Sequence, residues 1–169
     1  FQLWLNCAQN FAKENAGWAN PSIMQTYYSA GTMLALIVTA FLTRKIKDVR
    51  FIVAYPVICL VTMIVVLVSP SQAAMTAGAF LIGWAGAGGL LQIATSVCNM
   101  LFPKIKGTVT ALVMIASSLC NYTILTAASK MQPSQVMIMN IVLTAVGVVL
   151  GLFVNIRYKK MVALAEADN

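Results

Sequence analysis

The sequence has no histidine, only four acidic residues among 169, and charge of either sign on only 9% of its positions. Without histidine there is no imidazole general base and the commonest metal ligand is missing. Ordinary soluble domains carry roughly a quarter charged residues, so a chain this poor in charge does not clothe a water-facing surface. Four cysteines, Cys7, Cys59, Cys98 and Cys120, all fall inside apolar segments and none forms a Cys-x-x-Cys pair, which argues against a disulfide framework and a zinc site. No apolar segment carries paired carboxylates or a Ser/His pair suited to acid-base or nucleophilic work. The expectation is therefore a protein that is not an enzyme and holds no cofactor or metal.

What the chain does have is hydrophobic residues, 60% of the total, gathered into runs long enough to cross a bilayer at roughly 20 residues each. The pattern predicts an all-α, polytopic membrane helical bundle with five full spans and one partial helix. The partial helix covers 1–12, too short to cross a core of about 30 Å at 1.5 Å per residue; it is expected to be the far end of a helix whose start is absent. A polar connection over 13–20 follows. The spans are expected at 21–43, 51–69, 73–102, 108–128 and 136–156, with a solvated, frayed tail over 161–169. Asn20-Pro21 is a good helix start. Pro56 is expected to kink the second span by removing a backbone bond, and the long third segment is expected to tilt or bend near Gly83, Gly86, Gly88 and Gly89.

The net charge of +7 does not point to nucleic acid, because the basic residues flank apolar runs, as anchoring and orientation require. Connections alternate sides, so one face receives Arg44, Lys45, Lys47, Arg50, Lys104, Lys106, Arg157, Lys159 and Lys160, and the other only Lys13 and Lys130. Nine of eleven cations on one side place that side, and the carboxyl terminus, in the cytoplasm.

Polar side chains are costly within a membrane, and here they form stripes at helical spacing on four helices. The first has Gln2, Asn6, Gln9 and Lys13, with Trp4 and Asn10 nearby; the next Gln25, Tyr28 and Thr32; the glycine-rich segment Gln92, Thr95, Ser96 and Asn99; the following one Ser117, Ser118, Asn121 and Tyr122. The 51–69 and 136–156 spans are nearly all aliphatic and are expected to face lipid. Single amides and hydroxyls often only bond helix to helix, but four stripes beside two bare helices predict a shared polar cavity. Its expected wall is Asn6, Gln9, Gln25, Tyr28, Gln92, Asn99, Asn121 and Tyr122. No Asp, Glu, Lys, Arg or His lies deep in any full span, so nothing within this chain is expected to relay a proton or neutralise a charged solute at the midplane. Gly147 with Gly151, and Ala79 with Gly83 and Ala87, are small-residue ladders that let helices approach closely.

Three features resemble the carboxyl-terminal six-helix half of a major facilitator superfamily transporter, and the likeness covers essentially the whole chain. The stretch from Gly31-Thr-Met-Leu to Phe41-Leu-Thr-Arg-Lys-Ile-Lys-Asp-Val-Arg50 is similar to the family's loop motif, although Thr43 stands where an acidic residue is usual and Asp48 lies close by. Phe102-Pro-Lys-Ile-Lys-Gly107 resembles the family's second basic loop. The two bare spans match those that are peripheral in that fold. The resemblance implies alternating access, a small-molecule substrate with or without a coupling proton or sodium, and a missing amino-terminal six-helix half as partner. It also implies a conformational-switch loop at Gly31, Arg44 and Lys45, and a multi-pass protein of the bacterial cytoplasmic membrane. If transport is proton-coupled, the carboxylate is expected in the missing half. A non-transporting membrane scaffold or receptor subunit is the alternative reading.

Overall fold

A computed structural model of the chain describes residues 2–42 and 48–167 and is helical almost throughout, with no strand among the described residues. The order is α1 (Gln2–Ala16), α2 (Ile23–Leu42), α3 (Asp48–Val68), α4 (Gln72–Ile82), a π-helical segment (Gly83–Leu90), α5 (Leu91–Leu101), a 3-10 turn (Pro103–Ile105), α6 (Lys106–Ala128) and α7 (Pro133–Ala167). Among the described residues four stretches are long and apolar enough to cross a membrane: Arg50–Val68, Gln72–Leu101, Lys106–Ala128 and Pro133–Tyr158. The fifth expected span, α2, is a helix but falls outside that set. Gln25, Thr26, Tyr27, Tyr28 and Ser29 make its first turns polar.

Local chemistry sets the boundaries. The first helix continues past residue 12 to Ala16 and stops at Gly17, whose φ of 58° is the left-handed conformation that glycine takes without a Cβ penalty. The Trp18 N–H closes the end by reaching back to the Ala12 carbonyl at 3.3 Å. Ser71 caps α4, its Oγ accepting from the Ala74 N–H at 3.2 Å. Pro133 opens α7, and Gln135 Oε1 turns back to accept from the Gln132 N–H at 3.1 Å, one arm of a capping box. At its far end α7 runs on through Ala167, where a frayed tail was expected. Residues 159–167, Lys-Lys-Met-Val-Ala-Leu-Ala-Glu-Ala, are mostly strong helix formers, and nothing among them stops a helix.

The core has two parts. Trp4, Leu5, Ala8, Phe11 and Ala12 of α1 pack with Met24 and Tyr28 of α2, Met63 and Val66 of α3, Met75, Ala79 and Ile82 of α4, and Met137 of α7. Phe51, Tyr55 and Cys59 of α3 pack with Ala85 of the π segment and Ile93 and Val97 of α5. Lipid offers no hydrophobic gain for such contacts, so close van der Waals fit and interhelical bonds hold helices together there.

The two aliphatic spans differ from the expectation that they simply face lipid. One face of each is outward, with Val57, Val61, Ile64, Val65, Val142, Val146 and Val149 exposed. Their other faces pack on one another, burying Thr62, Asn140 and Thr144. Thr144 Oγ1 donates to the Asn140 carbonyl at 2.7 Å and lies 3.7 Å from Met63 Sδ across the interface. Pro56 has no N–H to give the carbonyl of Ile52, and a Cβ placed on Gly151 would stand 2.8 Å from that oxygen. Glycine thus lets α7 come down onto the carbonyl that the proline leaves open. Gly147, its partner in the Gly-xxx-Gly ladder, faces open space: a Cβ there would have nothing within 4 Å. The most exposed span is α6, with only 6% of its apolar stretch buried. Near the membrane end of α7, Arg157 lies over the Phe153 ring at 5.6 Å.

Candidate polar cavity and helix crossing

Helix α2 crosses closely over the end of α4 and the π segment. A Cβ on Gly31 would overlap the Phe80 carbonyl, and one on Gly83 the Tyr28 carbonyl, so backbone meets backbone in both directions. Gly88 lies under Ala35 and Thr32, and Gly89 under the Tyr55 ring. The Thr32 hydroxyl sits 2.9 Å from the Tyr28 carbonyl of its own helix and 3.2 Å from the Gly83 carbonyl, bridging the two elements. Side chains larger than hydrogen cannot occupy Gly31 or Gly83 without separating the helices. The glycine-rich stretch, expected as a place to tilt or bend, leaves the α-helical form, and Gly83, Gly88 and Gly89 are taken up by contact with α2 and α3.

Beside this crossing lies a cavity of about 200 Å³ between α2 and α5, lined by Leu36, Thr39, Ala40, Gln92, Ile93 and Ser96 with Gly88 at its edge. Thr39 is fixed by a buried 2.9 Å hydrogen bond with the Tyr55 hydroxyl. Gln92 is exposed and makes no hydrogen bond to any described residue. A second, larger and mainly apolar groove of about 980 Å³ runs between α2 and α4 past Tyr27, Ala30, Thr76 and Phe80. At 3.6 residues per turn, Tyr27 and Ala30 fall on roughly the opposite side of α2 from Leu36, Thr39 and Ala40. The polar stripe Gln25, Thr32 and Thr39 therefore belongs to the small cavity's side.

The expected wall residues separate into groups. Gln92 lines the small cavity; the other seven do not. On α1, Asn6 is exposed and Gln9 half-buried, with Asn10 and Lys13 also exposed, while Trp4, Leu5, Ala8, Phe11 and Ala12 turn inward. Gln25 is exposed and Tyr28 is buried in the larger core cluster. Asn99 pairs with Thr110 of α6, its Nδ2 at 3.1 Å and its Oδ1 at 3.2 Å from the hydroxyl, so it ties two helices together near the Pro103 turn. Asn121 is exposed on α6, as is Tyr122 at 73%. Gly31 sits in the crossing, whereas Arg44 and Lys45 lie outside the described residues. Thr39 is a lining residue that the expected wall omits, although it stands seven residues after Thr32 and continues the α2 stripe.

Among the described residues no group of His, Cys, Asp or Glu is placed to hold a metal ion. The arrangement, an apolar bundle with a polar face on α1, is that of an integral membrane protein. The chain is 31% identical over 95% of its length to the uncharacterized MFS-type transporter YfkL of Bacillus subtilis. It is 27% identical over 94% to the inner membrane transport protein YdiN of Escherichia coli, and 29% identical over 79% to YdiM of the same organism. The chain is thus similar in sequence to a transporter of the major facilitator superfamily. It spans about two fifths of the length of these relatives, 41%, 39% and 34% respectively. No family model and no solved structure matches it.

Proposed function

We propose that this chain forms the carboxyl-terminal half of a bacterial cytoplasmic-membrane transporter that moves a small solute by alternating access. In this reading the basic loops and carboxyl terminus face the cytoplasm, and a second six-helix half supplies the opposite wall together with any group that couples transport to a proton or sodium. The observation that carries it is the two-faced α1: Asn6, Asn10 and Lys13 are exposed opposite a buried face of Trp4, Leu5, Ala8, Phe11 and Ala12. Amides and an ammonium turned toward hydrocarbon would be strongly unfavourable, so such a face belongs on water. The exposed Asn121 and Tyr122 of α6 make the same demand. By contrast, the outward faces of α3 and α7 are aliphatic. Arg44 and Lys45 are proposed to latch the end state through neighbouring helix ends, with Gly31 holding α2 in register for them.

The test is a thiol-accessibility scan of the complete protein in proteoliposomes, starting from a version without its native cysteines. Asn6→Cys and Asn121→Cys should react with a charged, membrane-impermeant methanethiosulfonate, and Val149→Cys on the outer face of α7 should not. Equal labelling at all three would remove the cavity and with it this reading.

A further inference from the structure

We infer that the cavity between α2 and α5 is a recognition site for the uncharged, hydrogen-bonding part of the transported solute. This rests on the transporter reading above and adds the chemical class of what is seated there. The polar side chains among the described lining residues are neutral: the Thr39 and Ser96 hydroxyls and the Gln92 amide, set against Leu36, Ala40 and Ile93. Among the described residues no lysine, arginine, aspartate or glutamate contributes to the lining. An ion seated here would find no countercharge among the described lining residues to offset its lost hydration.

The arrangement is selective in a second way. Thr39 is held in place by Tyr55, so its hydroxyl has limited freedom to follow a ligand. Gln92 has two donors and an acceptor and no bond to a described residue, so it offers both senses of hydrogen bond to whatever occupies the cavity. A volume of about 200 Å³ is below the roughly 300–1,000 Å³ of sites that enclose a whole drug-sized ligand. The cavity therefore suits a compact hydroxyl or carboxamide group attached to a short aliphatic portion.

A charge-resolved labelling experiment reads this directly. Gln92→Cys is placed in the complete protein lacking its native cysteines and treated with three reagents: neutral methyl methanethiosulfonate, cationic trimethylammonioethyl methanethiosulfonate and anionic sulfonatoethyl methanethiosulfonate. In each case the cysteine thiolate attacks the sulfenyl sulfur, a disulfide forms, and methanesulfinate leaves, so intrinsic chemistry is shared. Rates are divided by those of Asn6→Cys on the open polar face. The neutral reagent should be favoured at least tenfold at position 92 over both charged ones. Equal normalised rates, or no reaction with any reagent, would overturn the inference. Ser96→Cys serves as the second variant if Gln92→Cys does not fold. Loss of labelling at Asn6→Cys and Asn121→Cys would sink the transporter reading instead, so the two failures are distinguishable.

Discussion

Replacing Gly83 by alanine adds one methyl group at the point where the π segment meets α2, and the structure sets both the sign and the size of its effect. The new Cβ would overlap the carbonyl oxygen of Tyr28, with the Tyr28 backbone carbon at 2.9 Å and its Cα at 3.0 Å. All three are backbone atoms, so no side chain can swing aside, and the helices must separate. Overpacking of this kind costs about 1–3 kcal/mol. Separation also weakens the Thr32 contact with the Gly83 carbonyl, at about 0.6 kcal/mol for an interhelical bond in a membrane protein. Alanine's better helix propensity returns up to about 1 kcal/mol. With the full propensity gain the expected net loss is about 0.6–2.6 kcal/mol, a shift of roughly 3- to 80-fold in the folding equilibrium. Gly147→Ala is the matched control. Its Cβ would have nothing within 4 Å, so the propensity gain stands alone and the variant should be neutral or up to about 1 kcal/mol more stable. Reversible unfolding of the complete protein in mixed micelles, titrated with a denaturing detergent, measures both. If Gly83→Ala and Gly147→Ala shift the midpoint alike, the close crossing does not exist as described.

Three further outcomes follow from named contacts. Gly151→Ala should destabilise by about 1–3 kcal/mol in the same assay, because its Cβ meets the Ile52 carbonyl opened by Pro56. A double-mutant cycle of Asn99→Ala with Thr110→Val should give a coupling near 0.6 kcal/mol, as expected for one interhelical polar pair; zero coupling would release Asn99 back to the cavity. Cys59, fully buried, should resist a small neutral thiol reagent that modifies the exposed Cys120, measured by intact-mass analysis of the folded protein.

Much of this architecture is readable in the order of residues. Apolar runs between Pro21 and Ile156 mark where helices lie, because backbone groups in a bilayer must bond internally and a helix achieves this within one segment. Helix ends are legible where a strong local signal exists. The first helix, expected to end at residue 12, instead runs to Ala16 and stops at Gly17, because the polar residues from Lys13 to Asn15 remain compatible with a helix. The sequence is less informative about partners. Gly31, Gly83, Gly88 and Gly151 look alike on the page, as does Gly147, and only three-dimensional neighbours separate contact glycines from a free one. Likewise Asn99 and Gln92 sit on one stripe, yet one is occupied by Thr110 and the other faces a cavity. Helical spacing tells which residues share a face; it does not tell what that face meets.

The length of α7 has a practical consequence. Its 35 residues correspond to about 52 Å of helix, against a hydrocarbon core of about 30 Å. The part beyond Tyr158 adds about 13 Å of continuous helix at 1.5 Å per residue. Because α7 is gripped along α3 at Thr144 and Gly151, that projection behaves as a stiff lever rather than a tether. A fluorophore attached beyond Ala163 would report rotation of the α3–α7 pair with little slack.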